Sequence, residues 1–150
     1  MAYGSKAARG KWKPSNPMKY RGDVNGIVYR SSWECKAFNW CDSRSNVVQW
    51  SSEEVIIPYR SPVDGKMHRY FVDLKFTVKR DDGVFVTYLA EIKPEKFTRP
   101  PVPRRKSKSY IEECCMWLVN EAKWEAAIKY SNERGWKFII MTEKVLGIKT

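Results

Sequence analysis

The stretch that decides the fold is residues 69–93, RYFVDLKFTVKRDDGVFVTYLAEIK. Its two halves, 69–78 and 84–93, are rich in β-branched and aromatic residues and alternate between apolar and polar positions, which is typical of β-strands. Asp81-Asp82-Gly83 between them is a hairpin signal, because glycine readily adopts the backbone conformation of a tight turn. The segment therefore predicts two long antiparallel strands.

Polar side chains interrupt both predicted strands. Asp73 stands in the middle of the first strand among apolar neighbours, and Glu91 and Lys93 stand at the end of the second. Residues i and i+2 of a strand project from one face, so Glu91 and Lys93 share a face. Pairing around the turn brings Asp73 and Glu91 onto facing strands, where two carboxylates can bracket one Mg²⁺ and the Ile92 carbonyl can complete its oxygen shell.

This constellation matches the needs of phosphodiester hydrolysis. The reaction requires stabilisation of a polyanionic transition state and a positioned water, and carboxylate-bound divalent metals meet both needs. Lys93 can orient or activate that water. The alternative is that D-L-K and E-I-K form the polar side of half-exposed strands, since such short patterns are frequent in a lysine-rich chain.

The remaining pattern predicts helices on a sheet. Ser31-Ser32 precede a short amphipathic helix at 33–41, and Gly135 ends a long one at 110–134. Further strands are predicted at 47–50, 54–59 and 136–141, and Thr142 can cap a final helical turn. The fold class is α/β, with a mixed central sheet flanked by helices.

Charge favours a polyanionic partner. The 150 residues contain 28 Lys plus Arg and 17 Asp plus Glu, a net charge of +11, and such a surface attracts nucleic acid. A solvated basic surface without a target is the alternative. No run approaches the ~20 apolar residues of a membrane span. The four cysteines lack C-x-x-C spacing and indicate reduced thiols, and His68, the sole histidine, excludes catalysis by a histidine pair.

Two basic segments are candidate DNA contacts. Residues 1–21 combine lysine and arginine with glycine and proline, which predicts a flexible basic arm ahead of a single domain at 22–150. Trp12 in this arm is a candidate for stacking on bases. Prolines make 94–109 a loop whose positive charge follows Lys93 directly. The predicted DNA-binding residues are Lys96, Arg99, Arg104, Arg105, Lys106, Lys108, Lys11 and Lys13.

Several motifs in order resemble a known family. They are R-S-S-W-E at 30–34, W-S-S-E at 50–53, I-P-Y at 57–59, Y-F-V-D at 70–73 and E-I-K-P at 91–94. From about Lys11 to Gly147 the chain resembles the head completion nucleases of T4-like tailed phages. The arrangement is similar to the end-cleaving subunit of heteromeric transposases and to other PD-(D/E)XK enzymes, although Val72 stands where the name of that superfamily has proline.

The resemblance implies a restriction-endonuclease-like core and a role for each site residue. Asp73 and Glu91 would bind Mg²⁺ or Mn²⁺, Lys93 would be the catalytic lysine, and Glu34 would join the metal site. From the residues alone, Ser31-x-x-Glu34 is instead a capping box, in which the glutamate returns a hydrogen bond to the helix N-terminus.

Two functions follow as hypotheses. The first is a metal-dependent DNA endonuclease that acts in phage head completion after DNA packaging. The second is a non-catalytic basic DNA-binding or assembly protein of the phage head that retains the nuclease fold. The expected partners are double-stranded DNA and phage head or neck proteins, and the expected location is the cytoplasm of the infected bacterium or the virion.

Overall fold

The structure is a computed structural model that describes residues 9–147. In chain order its strands and helices are β1 (Gly10–Lys11), β2 (Val28–Tyr29), α1 (Ser32–Ser43), β3 (Val47–Ser52), β4 (Ile56–Arg60), β5 (Met67–Phe71), β6 (Leu74–Lys79), β7 (Phe85–Ile92), α2 (Lys108–Glu133), β8 (Lys137–Met141) and α3 (Glu143–Leu146). Short 3-10 helices span Pro17–Lys19 and Glu95–Thr98.

The predicted hairpin is the centre of a four-stranded mixed sheet. The strand order is β3-β6-β7-β8, with β6 antiparallel to β3 and β7, and β8 parallel to β7. The turn closes with a hydrogen bond from the Arg80 amide to the Val84 carbonyl (2.8 Å), and Gly83 has the positive φ of 85° that the turn requires. The α2 crossover makes β7 and β8 parallel. The predicted α/β class is confirmed.

The two long helices pack on opposite faces of this sheet. Strand alternation points Leu74 and Ile92 into the cluster formed with α1, whose buried residues include Phe38. It points Leu89 into a second cluster with Ala127 of α2. Glu91, which precedes Ile92, and Lys93, which follows it just beyond β7, therefore lie on the α2 side.

The helix ends are set by local capping. The Ser31 hydroxyl accepts a hydrogen bond from the Glu34 amide at the start of α1, and the Ser107 hydroxyl accepts one from the Tyr110 amide at the start of α2. Gly135 follows α2 with φ 72°, as the sequence predicts. The four cysteines are free thiols. Within residues 9–147 no helix has the length and apolarity needed to cross a bilayer.

The prediction of one continuous strand at 69–78 is wrong. The stretch 69–78 is divided at Val72 and Asp73, because β5 pairs with β4 in a separate two-stranded sheet while β6 pairs with β3 and β7. At the break, the Val72 amide donates to the Val55 carbonyl (3.0 Å), and the Val72 carbonyl accepts from the Glu53 amide (3.2 Å). Asp73 consequently lies at the start of the central hairpin rather than inside a strand.

The predicted flexible arm is wrong over residues 9–21. Tyr20 is buried, and its hydroxyl bonds to both the amide and the carbonyl of Ser52 (3.2 and 3.3 Å). Trp12 packs edge-on against Phe38 and Trp50, each at 5.5 Å between ring centroids. Trp12 is thus packed on the domain, its stacking on bases stays a prediction, and the segment belongs to the domain. Residues 1–8 of the predicted arm lie outside the described residues.

Candidate active site

Asp73 and Glu91 lie where β6 begins and β7 ends, at the end of the central strands that is called the sheet edge below. β6 begins opposite the end of β7, with Leu74 paired to Ala90, so the residues just beyond this pair are neighbours. Asp73 Oδ2 accepts a hydrogen bond of 2.8 Å from the amide of Ile92. The strand break and this bond fix the aspartate beside the last residues of β7.

Glu91 and Lys93 form a buried pair at that edge. Their exposed fractions are 5 % and 1 %, and Lys93 Nζ lies 3.6 Å from Glu91 Oε2. The Lys93 amide bonds to the Met141 carbonyl of β8 (3.1 Å), which holds the backbone past the end of β7. The structure therefore brings together Asp73, Glu91 and Lys93, as the sequence pattern predicts.

Burial and the closeness of two acids shift the pKa values in this cluster. Burial raises the pKa of Asp73 well above its ordinary range, the charge of Glu91 raises it further, and the hydrogen bond from the Ile92 amide opposes the shift. Burial lowers the pKa of Lys93. The charges of Glu91 and Asp73 oppose this change, and the charge of the nearby Lys123 adds to it. A bound cation would relieve the repulsion between the two acids.

Glu34 serves α1 as a cap and also borders the cluster. Its amide donates to Ser31 Oγ (3.2 Å), which is the serine half of the predicted capping box. Its Oε2 accepts from the Ser31 hydroxyl (3.3 Å) and not from the Ser31 amide. The side chain is 8 % exposed. Burial raises the pKa of Glu34, and the charge of Glu34 in turn raises the pKa of Asp73. Capping and proximity to Asp73 are therefore compatible.

Four residues near the cluster were not predicted from the sequence. The Tyr70 hydroxyl donates a hydrogen bond of 2.8 Å to Glu91 Oε1, and Lys123 Nζ lies 5.5 Å from the centroid of the Tyr70 ring. Arg30 forms an ion pair with Glu53, whose φ of 56° is in the left-handed region. The R-S-S-W-E, W-S-S-E and Y-F-V-D motifs contain three of these residues, but only the fold places them at the acids.

The predicted DNA-binding residues are spread over an exposed surface. The side chains of all eight are exposed, six of them in the stretch between Lys93 and α2 or at the start of that helix. Arg104 is anchored to Glu113 of α2 (3.0 Å) and lies 4.8 Å from the centroid of the Tyr110 ring. Lys11 and Lys13 project from the packed N-terminal segment. DNA contact by these residues stays a prediction.

The cluster suits a divalent cation in its donor chemistry. Asp73 and Glu91 offer hard carboxylate oxygens side by side, the ligand type that Mg²⁺ prefers. Among residues 9–147, no group of three or more His, Cys, Asp or Glu side chains is already assembled as a metal cluster. Ile92 contacts Asp73 through its backbone amide, whereas the group predicted to bind the metal is the Ile92 carbonyl. Metal binding by Asp73, Glu91, Glu34 and the Ile92 carbonyl therefore stays a prediction.

A mixed sheet between helices, with an aspartate, a glutamate and a lysine at one edge, defines the restriction-endonuclease-like class of nucleases. The chain belongs to the TnsA-like endonuclease family, whose N-terminal domain model matches residues 44–143. The matched region includes Asp73, Glu91 and Lys93 and begins after Glu34. The chain is also 40 % identical over 151 residues to the head completion nuclease of Enterobacteria phage T4, covering 95 % of this chain and 98 % of that one. No solved structure gives a significant match.

Proposed function

We propose that the protein is a divalent-metal-dependent DNA endonuclease that acts in phage head completion after DNA packaging. The observation that carries the proposal is the cluster of Asp73, Glu91 and Lys93 at one sheet edge, next to an exposed basic loop. The name of the T4 relative supports the head-completion role. In this proposal the protein acts in the infected cell or the virion, on double-stranded DNA and beside head or neck proteins.

Each residue of the cluster has a defined task in this proposal. Asp73 and Glu91 hold Mg²⁺ or Mn²⁺, with Glu34 and the Ile92 carbonyl completing the site. The bound metal supplies Lewis acidity and lowers the pKa of a water. Lys93 orients that water and offsets the charge that develops on the phosphate. The loop from Lys96 to Lys108 holds the phosphates of the flanking DNA.

The direct test is nicking of supercoiled plasmid DNA with Mg²⁺, with Mn²⁺ and with chelator alone. The proposal expects relaxed or linear DNA only when a divalent metal is present. Tight DNA binding without cleavage of any DNA form in either metal would instead establish the non-catalytic DNA-binding or assembly role.

Salt dependence tests the basic surface. If the loop and the N-terminal lysines contact phosphates, log affinity for duplex DNA falls linearly with log salt, with a slope of about −0.9 per contact. Neutralising Arg105 and Lys106 together to glutamine should make the slope shallower by about 1.8 on this scale. Lys79→Gln is the matched control, because Lys79 is exposed at the other end of β6 from the cluster. Affinity that does not change with salt would contradict recruitment by charge.

The role of the hydrogen bond from Tyr70 to Glu91 can be tested by substitution. Tyr70→Phe removes the hydroxyl that bonds to Glu91 Oε1 and keeps the buried ring. Groups that orient metal ligands typically contribute 10- to 100-fold to metal affinity or activity, so we expect the Mg²⁺ concentration for half-maximal cleavage to rise about 10- to 100-fold. Tyr59→Phe is the control, because Tyr59 is buried in the same apolar cluster. Equal metal requirements in the two variants would remove Tyr70 from the site.

A further inference from the structure

A cavity of about 200 Å³ lies directly beside Lys93, between the basic loop and the first half of α2. Its lining combines flat or flexible apolar side chains with polar groups, namely Lys93, Phe97, Arg99, Met116, Trp117 and Asn120. Neither the family relationship nor the proposed metal site assigns a role to it.

The aromatic walls of the cavity come from different elements. Phe97 belongs to the 3-10 helix in the loop, and Lys96 Nζ lies 4.8 Å from the centroid of its ring. Trp117 belongs to α2, is half-buried, and packs edge-on against the buried Trp124 at 5.9 Å between centroids. That contact holds the Trp117 ring in place, and aromatic faces of this kind are platforms on which nucleobases stack.

The polar groups of the cavity suit a hydrogen-bonding ligand that is attached to an anionic backbone. Asn120 is 6 % exposed, and its side-chain amide both donates and accepts, as recognition of a base edge requires. Glu113 also lines the cavity and forms an ion pair with Arg104. Arg99 is exposed at the cavity, where it can meet a phosphate.

The volume of the cavity further restricts the class of ligand that can bind. Sites for drug-sized molecules typically occupy ~300–1,000 Å³, so a cavity of about 200 Å³ accommodates a single flat ring system. Enzymes that do chemistry on a base take it out of the helical stack into a snug pocket, and the cost is least for a base that is already unpaired.

We propose that this cavity binds one unpaired nucleobase of the DNA substrate, and that the enzyme prefers DNA carrying an unpaired nucleotide next to the cleaved bond. The inference rests on the proposed nuclease function, because Lys93 belongs both to the reactive cluster and to the cavity wall. A base between Phe97 and Trp117 would place its own backbone at the sheet edge where Asp73 and Glu91 lie.

The test compares three DNA duplexes of equal sequence in EDTA, so that cleavage plays no part. One is fully paired, one carries an extra adenine nucleotide in one strand, and one carries an extra abasic nucleotide at the same position. The last two share charge and length and differ chemically only in the base. Affinity is measured by fluorescence anisotropy at fixed salt for the wild type, Trp117→Ala, Trp117→Phe and Leu118→Ala, the last as a control beside the cavity.

The wild type should bind the adenine duplex about 5- to 150-fold more tightly than the abasic duplex, the range that base stacking on an aromatic side chain supplies. Trp117→Ala should abolish the difference, whereas Trp117→Phe, which keeps a flat ring, and Leu118→Ala should retain it. Equal affinity of the wild type for both duplexes, or a difference that Trp117→Ala leaves unchanged, overturns the proposal.

The outcome separates this inference from the proposed function. Equal affinities together with metal-dependent plasmid nicking would refute the base pocket and leave the nuclease assignment standing. A Trp117-dependent preference for the adenine duplex without any nicking would support the pocket and refute catalysis.

Discussion

Lys93→Ala should lower the rate of DNA cleavage by about 10²–10³-fold, the usual loss when a group that stabilises charge at the reacting centre is removed. DNA binding should largely persist, because the exposed basic loop is unchanged. Lys93 is 1 % exposed and 3.6 Å from Glu91 Oε2, so its charge is directed at the acids rather than at solvent. Single-turnover cleavage with saturating protein separates the two effects.

Two further variants sharpen this experiment. Lys93→Met removes the charge but fills the space of the buried stem, which distinguishes loss of catalysis from loss of packing. Lys75→Ala is the control, because burial lowers the pKa of the half-buried Lys75 as it does that of Lys93, yet Lys75 Nζ lies away from the acids, 4.3 Å from the centroid of the Trp136 ring. If wild type and Lys93→Ala cleave at the same rate in Mg²⁺ and in Mn²⁺, the activity belongs to another site or to a contaminant.

Local sequence rules predicted the elements whose structure is decided locally. The hairpin follows from Asp82-Gly83, α1 from the capping residues Ser31 and Glu34, and the end of α2 from Gly135. In each case one side chain or one backbone conformation determines the geometry within a few residues. The α/β class and the closeness of Asp73 to Glu91 follow from these elements, because hairpin pairing fixes which residues face each other.

Long-range contacts account for what the sequence did not reveal. Alternation in 69–78 is the same whether the chain stays in one sheet or changes sheets, so the break at Asp73 could not be predicted. Glycine, proline and lysine in 9–21 are typical of an unstructured segment, whereas its order depends on contacts with distant residues, among them those of Trp12 with Trp50 and of Tyr20 with Ser52. The bond from Tyr70 to Glu91 likewise joins residues that only the sheet register brings together.

Asp73→Asn should have opposite effects on catalysis and on the stability of the metal-free protein. Burial and the charge of Glu91 raise the pKa of Asp73, so the folded state binds its proton more tightly than the unfolded chain does. Such a carboxyl costs stability as pH rises from its unfolded pKa through its folded pKa. Asparagine is neutral and of the same shape, so the metal-free variant should melt no lower than the wild type at neutral pH.

The same substitution removes a ligand of the proposed metal, since a neutral amide binds a hard divalent cation less well than a carboxylate does. Metal Lewis acidity contributes several kcal/mol to such reactions, so cleavage should fall by more than about 10³-fold. Thermal melting with and without Mg²⁺ is the decisive measurement, because a ligand that binds only the folded state raises the melting temperature, and the effect grows with the logarithm of its concentration relative to Kd. Mg²⁺ should stabilise the wild type and the control Asp81→Asn, whose residue is exposed in the far hairpin turn, and should not stabilise Asp73→Asn. An equal Mg²⁺-induced shift in all three proteins would place the metal elsewhere and leave Asp73 as a purely structural acid that bonds to the Ile92 amide.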